Sequence, residues 1–253
     1  MAVERLAGDE LVARAGPEIS PQAHLHAYFL ANISHEFRTP LAGVSASVEL
    51  LLEELDYLSK EEIRELLNSL HMSVTGLQTL IDNLLESSSI EAGHFRIRRQ
   101  LTDFRLVVEE CVHTMAPLLS RRRQRVLVEE PAPCPQLLLD PVRMAQVLVN
   151  LLSNASKYSP VGTDVELRVA VEANALRVTV ADCGPGLSDA ERETLFQRCV
   201  RRGGEGNAQY GVGLGLLVVK AIVEGHGGEV GVLPRAGRGS IFWFTLPERG
   251  EAA

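Results

Sequence analysis

Apolar residues recur at steps of three, four and seven from about Gln22 to Leu55: Leu25, Phe29, Ile33, Phe37, Val44, Val48, Leu51 and Leu55. That period predicts an amphipathic helix. A polar break from Asp56 to Glu61 precedes a second run of the same period. It passes through Ile63, Leu66, Leu67, Leu70, Val74, Leu77, Leu80, Ile81, Leu84 and Leu85. Two helices of roughly 30 residues with a short connection predict an antiparallel hairpin. Such a hairpin has a long apolar stripe and little to bury it against, so a dimer forming a four-helix bundle is expected.

After Gly93 the texture changes. Short β-like runs appear at Val126–Val128, Val165–Val171, Leu176–Ala181, Glu229–Leu233 and Ser240–Leu246. Helical stretches lie between them, at Phe104–Ser120, Pro141–Lys157, Asp189–Arg198 and Leu214–Glu224. The runs 164–172 and 175–181, joined by Ala173 and Asn174, predict a β-hairpin. This is a sandwich pattern and not a regular βαβ alternation. The expected fold class is α+β: an all-α helical hairpin followed by an α/β sandwich with a mixed sheet. Residues 1–22 are expected as a linker or helix end, 23–96 as the hairpin, 97–249 as the mixed domain and 250–253 as a tail.

Bulk composition narrows the partners. The 253 residues are 45% hydrophobic and 23% charged, ordinary globular values. A net charge of −8 argues against nucleic acid as the main partner. Cys111, Cys134, Cys183 and Cys199 form no C-x-x-C pair and no zinc-like spacing, so reduced thiols in a cytoplasmic protein are expected. No run approaches the ~20 apolar residues of a membrane span. A membrane anchor would belong to a longer parent protein.

The first chemical signal is the segment from Ser34 to Leu41, with His35, Glu36, Thr39 and Pro40. At about 100° per residue, His35 lies roughly 170° from the apolar centre near Ile33 and Phe37. Thr39 falls one turn further on nearly the same side. An exposed surface histidine beside a tolerated kink would look much the same. The cluster of carboxylate, hydroxyl and proline favours chemistry. A neutral imidazole is nucleophilic near pH 7, and Glu36 is placed to take the ring proton as it attacks a phosphoryl group. Thr39 could position a water that hydrolyses phospho-His35.

The second signal is a series of polar residues in the mixed part. Asn150 and Asn154, four apart, share a helix face, and Lys157 and Tyr158 follow. Core hydrogen bonding would explain two such asparagines. So would an Mg²⁺ site shared with substrate phosphates, to which amide oxygens add no negative charge. Next, Asp182, Cys183, Gly184, Pro185 and Gly186 follow an apolar strand. They suit a turn, or a site in which Asp182 accepts the exocyclic amine of adenine and repels guanine. Gly211, Gly213, Leu214 and Gly215 open a helix, where backbone N–H groups can approach phosphates. The glycine-rich stretch before Gly211 suits a mobile cover or an ordinary surface loop.

Taken in order, these segments resemble the boxes of a sensor histidine kinase. His35–Leu41 resembles the H box, Asn150–Pro160 the N box, Asp182–Leu187 the G1 box and Gly211–Leu216 the G2 box. Leu195–Arg201 resembles the F box, and the stretch from Gly237 through Ser240 to Pro247 the last glycine box and closing strand. The similarity spans residues 23–248. It implies a dimerising phosphotransfer hairpin followed by a Bergerat-type ATP-binding catalytic domain, with ATP and Mg²⁺ as cofactors. It implies His35 as phospho-acceptor, Glu36 as acid/base partner and Thr39 as support for dephosphorylation. Asn154 resembles the Mg²⁺ ligand with Asn150 beside it, and Lys157 and Tyr158 resemble residues at phosphate and adenine. Asp182 resembles the adenine reader, Gly184, Gly186, Gly211, Gly213 and Gly215 shape the pocket, and Leu214 and Ser240 border it. Arg201 resembles a lid arginine at the γ-phosphate.

Two positions depart from the pattern: Cys199 and Val200 replace F-box aromatics, and Cys183 replaces a polar G1 residue. The implied activity is ATP-dependent autophosphorylation on His35, then transfer to an aspartate of a response-regulator receiver domain. The roughly 20 residues before the hairpin are too few for a sensor domain, so input is expected from a longer parent or a separate protein. A silent scaffold should have lost His35, Asn154 or Asp182. A chaperone- or topoisomerase-like ATPase should lack the hairpin that bears His35.

Overall fold

A computed structural model describes residues 21–172, 175–196 and 214–248, with the side chains of 21–32 and 35 excepted. Helix α1 (Pro21–Glu54) runs through Pro40, and α2 (Lys60–Glu91) returns along it. Ser59 and Glu62 start α2 with a reciprocal capping box: the Ser59 N–H donates to the Glu62 carboxylate at 2.8 Å, and the Glu62 N–H to Ser59 Oγ at 3.2 Å. The helices run antiparallel, as the pairings of Ile33 with Leu84 and of Gly43 with Ser73 show. A Cβ on Gly43 would lie 2.9 Å from Ser73 Oγ, so glycine permits this close approach.

The mixed part contains β1 (Gln100–Asp103), α3 (Phe104–Arg121), β2 (Val126–Glu129), β3 (Gln136–Leu139) and α4 (Pro141–Tyr158). It continues with β4 (Val165–Glu172), β5 (Ala175–Ala181), α5 (Asp189–Thr194), α6 (Leu214–Gly225), β6 (Val230–Pro234) and β7 (Ser240–Pro247). Five strands form a sheet in the order β2-β4-β5-β7-β6. β2 and β4 are parallel and the other neighbours antiparallel, so the sheet is mixed, as expected. β1 and β3 pair separately as a small antiparallel ribbon. Neither stands out in the sequence, because Gln100–Asp103 and Gln136–Leu139 lack the valines that mark the equally short β2. α5 ends at Thr194, short of the expected Arg198, which lies outside the described residues.

Alternation sets which sheet face is covered. Val165, Leu167 and Val169 of β4, Leu176, Val178 and Val180 of β5, and Phe242, Phe244 and Leu246 of β7 are all buried. They join Phe104, Val108 and Cys111 of α3, Met144, Leu148 and Leu152 of α4, and Val218, Val219 and Ile222 of α6 in one core. Each fully buried large side chain contributes roughly 1.5–3 kcal/mol. α4 is fixed at its start by Asp140, whose carboxylate accepts the Arg143 N–H at 3.2 Å, with Pro141 at the first helical position. With its apolar side committed to the core, α4 turns Asn150, Asn154 and Lys157 the other way.

Candidate functional site

Asp182 follows β5 and is 4% exposed. Its Oδ1 accepts the N–H of Gly184 at 2.7 Å and the N–H of Ser240 at 3.2 Å. Its own N–H donates to Ser240 O at 2.9 Å, and its carbonyl accepts Arg235 Nη1 at 3.0 Å. Two glycines make room for it. A Cβ on Gly184 would lie 2.8 Å from Asp182 Oδ1, and one on Gly239 only 2.0 Å from Asp182 O. The Asp182 carboxylate is therefore held by the turn after β5 and by the first residue of β7 before any ligand is considered.

Asn154, Lys157 and Tyr158 are half-buried on the last turns of α4. Lys157 Nζ lies 5.7 Å from the centroid of the Tyr158 ring. Ser159 joins this turn to Asp182, because its Oγ accepts the Cys183 N–H at 3.0 Å. The end of α4 and the turn after β5 thus form one polar corner. Gly186 sits close by, with φ +81° and its Cβ position 3.4 Å from Gly239 O. Cys183 Sγ lies 3.2 Å from Arg235 Nη1. Cys111, Cys134 and Cys183 are free thiols, and burial pushes Cys111 up to about 12.

On the hairpin, Glu36 is half-buried and Thr39 exposed. His35 lies in α1, but its side chain falls outside the described residues, as do Gly211, Gly213, Arg201 and Cys199 altogether. Leu214 and Gly215 open α6. The Leu214 side chain is buried against Ile33, with Phe37 and Leu84 around it. These residues and Glu36 and Leu80 line a small cleft between hairpin and α6. Leu214 is thus a hairpin contact through its side chain.

The sequence places Ser240 at the border of the expected pocket, whereas Arg235 and Asn83 escape that reading. Ser240 acts on Asp182 through its backbone N–H, and Arg235 and Gly239 support the same aspartate. Asn150 is buried and exchanges amide hydrogen bonds with Asn83 of α2. Asn83 carries no sequence signal of this pairing, because it falls roughly 140° from the centre of the α2 apolar stripe, in line with Ser69 and Gly76. Among the described residues no group of three or more His, Cys, Asp or Glu could hold a metal ion, and no helix is long and apolar enough to cross a membrane.

Comparison with known proteins gives this arrangement its class. Residues 26–93 match the His Kinase A (phospho-acceptor) domain. Residues 139–250 match the histidine kinase-, DNA gyrase B- and HSP90-like ATPase domain. A phospho-acceptor hairpin joined to an ATPase-type domain is the class that fold and site define. The chain belongs to the two-component sensor histidine kinases. It is 37% identical over 228 residues to the sensory/regulatory protein RpfC of Xanthomonas campestris pv. campestris, covering 87% of this chain and 31% of that protein. It is 32% identical over 220 residues to the adaptive-response sensory kinase SasA of Synechococcus sp. (strain JA-3-3Ab), covering 86% of this chain and 58% of that protein. The chain therefore spans less than two thirds of either relative. Full-length ShkA, solved in complex with AMPPNP, superposes with a TM-score of 0.60 at 30% identity, over 88% of this chain and 46% of that one.

Proposed function

We propose that this chain transfers the γ-phosphoryl group of ATP to His35 and passes it on to an aspartate of a response-regulator receiver domain. The observation that supports it best is the buried Asp182, whose Oδ1 is fixed by the N–H groups of Gly184 and Ser240. A carboxylate held in a water-poor corner recognises an amine donor such as that of adenine and rejects a carbonyl. Asn154 and Lys157, one turn apart on α4, suit the phosphate end. An Mg²⁺ ion fits a neutral amide donor such as Asn154, because the phosphates supply its other oxygens, and it would offset charge on them.

In the transfer, a ring nitrogen of His35 bonds to the γ-phosphorus, the bond to the β-phosphate bridging oxygen breaks, and ADP leaves. The ring proton passes to Glu36. The receiver aspartate then displaces the imidazole. Thr39, one helical turn from His35, is assigned to positioning water for dephosphorylation.

The partner copy follows from unburied apolar surface. Leu41, Val48 and Leu52 on α1, Leu55 just past its end, and Leu67, Val74, Ile81 and Leu85 on α2 remain exposed at helical spacing. Two copies burying these stripes give a four-helix bundle, hence a homodimer.

The test is incubation with γ-labelled ATP and Mg²⁺. Acid-labile, alkali-stable label that disappears in His35→Gln supports the reading. Label that survives the substitution, or no label at all, refutes it.

A further inference from the structure

Asn83 and Asn150 come from different parts of the fold, 67 residues apart in sequence. Both are buried, 6% and 7% exposed. Asn83 Nδ2 donates to Asn150 Oδ1 at 3.3 Å, and Asn150 Nδ2 donates to Asn83 Oδ1 at 3.4 Å. The whole amide of Asn150 is therefore turned toward the hairpin.

The junction is built around this exchange. Gly215 faces it from α6, where a Cβ would come within 3.1 Å of Asn150 Oδ1. Three residues further along α2, Glu86 pairs with Arg143 of α4, which also covers the Phe95 ring at 5.3 Å. On the other side, Leu214 is sunk among Ile33, Phe37 and Leu84. Hydrophobic contact and an ion pair thus dock α4 and α6 onto α2, and a neutral amide pair sits between them.

A leucine at position 83 would add apolar surface to the junction. It would also leave the Asn150 amide buried without a partner, which is costly. Asparagine instead satisfies Asn150 through two long hydrogen bonds that exchange readily for others.

We propose that Asn83 is an internal competitor for Asn150. While the pair is made, Asn150 is withheld from nucleotide and Mg²⁺, so docking onto α2 and nucleotide binding oppose each other. Linkage makes the opposition reciprocal: whatever strengthens docking weakens nucleotide binding by the same factor. Asn83 is a positioning residue that acts through Asn150. The inference rests on the reading of Asn150 as a residue of the nucleotide site.

The experiment measures Mg²⁺–ATP affinity calorimetrically for the full chain and for Asn83→Ala, Asn150→Ala and the double variant, each checked for native helix content. Asn83→Ala is expected to tighten binding about fivefold, equivalent to about 1 kcal/mol. The gain is expected to vanish in the Asn150→Ala background. A merely structural role for Asn83 would weaken binding or leave it alone. Unchanged or weaker binding in Asn83→Ala, with affinity lost in Asn150→Ala, overturns the competition and leaves the nucleotide reading standing. A gain that persists without Asn150 also overturns it. Full affinity in Asn150→Ala removes Asn150 from the nucleotide site and the competition with it.

Discussion

The carboxylate of Asp182 accepts the backbone N–H of Ser240 at 3.2 Å, across 58 residues of sequence. The same two residues also share a main-chain bond, from Asp182 N to Ser240 O at 2.9 Å. The aspartate is thus locked to the first residue of β7, and its position is a property of the sheet. A carboxylate held in this way meets little ordering cost on binding, which suits the base-reading role proposed for Asp182.

Asp182→Asn tests the selection. The amide oxygen can still accept the Gly184 N–H, so the fold should survive. A hydrogen bond to a charged group is worth about 1.5–3 kcal/mol, so ATP affinity should fall roughly 10- to 150-fold. Preference for ATP over GTP should shrink with it. Competition binding with both nucleotides reads the outcome, and unchanged preference would remove Asp182 from base recognition.

Gly239→Ala tests the support behind Asp182. Gly239 has φ +119°, and its Cβ would sit 2.0 Å from the Asp182 carbonyl oxygen, which is backbone and cannot swing aside. A loss of at least about 2 kcal/mol is expected from strain and displacement together. Gly237 offers the control: φ is +86°, but a Cβ there meets nothing within 4 Å. Gly237→Ala should cost about 1 kcal/mol from backbone strain alone. Thermal unfolding of both variants should rank them in that order.

Much of this was legible in the sequence because it repeats or stands out. The helices α1 and α2 declare themselves by period, and β4 and β5 by alternation around Ala173 and Asn174. Asp182 and Asn154 are visible as polar residues set directly beside apolar runs. The ribbon of β1 and β3 was not, because its strands lack the valines that mark the equally short β2. Nor was the pairing of Asn83 with Asn150. Periodicity assigns a residue to a face, but it does not say which distant face will meet it. The same holds for His226, whose partners are Asp140 at the start of α4 and Ile222 within α6.

His226 predicts a pH dependence. It is buried, its Nε2 accepts the Asp140 N–H at 2.9 Å, and its Nδ1 donates to Ile222 O at 2.7 Å. A second ring proton would have to replace that accepted hydrogen bond. Burial holds its pKa below the ordinary 6.5, opposed by the bond to Ile222, with Arg99 lowering it further and Asp140 raising it. The unfolded chain therefore binds a proton that the folded one refuses. The stability contribution is complete above the unfolded value and is lost as pH falls through it toward the folded one. Urea unfolding should show lower stability at about pH 5.5 than at about pH 7.5. In His226→Gln, whose amide oxygen can still accept the Asp140 N–H, that difference should be smaller.

The exposed stripes on the hairpin give the last prediction. Leu67, Val74 and Ile81 of α2 stand seven residues apart, and Leu41 and Val48 of α1 repeat that spacing. A seven-residue apolar repeat is the pattern of helices that pack side by side along their length. Val74 is near the middle of α2, so Val74→Glu would place a carboxylate at the centre of the paired stripes. Each dimer carries the change twice, and each copy loses an apolar contact of about 1.5–3 kcal/mol. The dimer should weaken on the order of 100-fold or more. Tyr57→Glu is the matched control, since Tyr57 lies 86% exposed in the turn between the helices, off both stripes. Sedimentation should find Tyr57→Glu dimeric and Val74→Glu shifted to monomer at the same concentration. A Val74→Glu chain that stays dimeric would place the contact between copies somewhere other than these stripes.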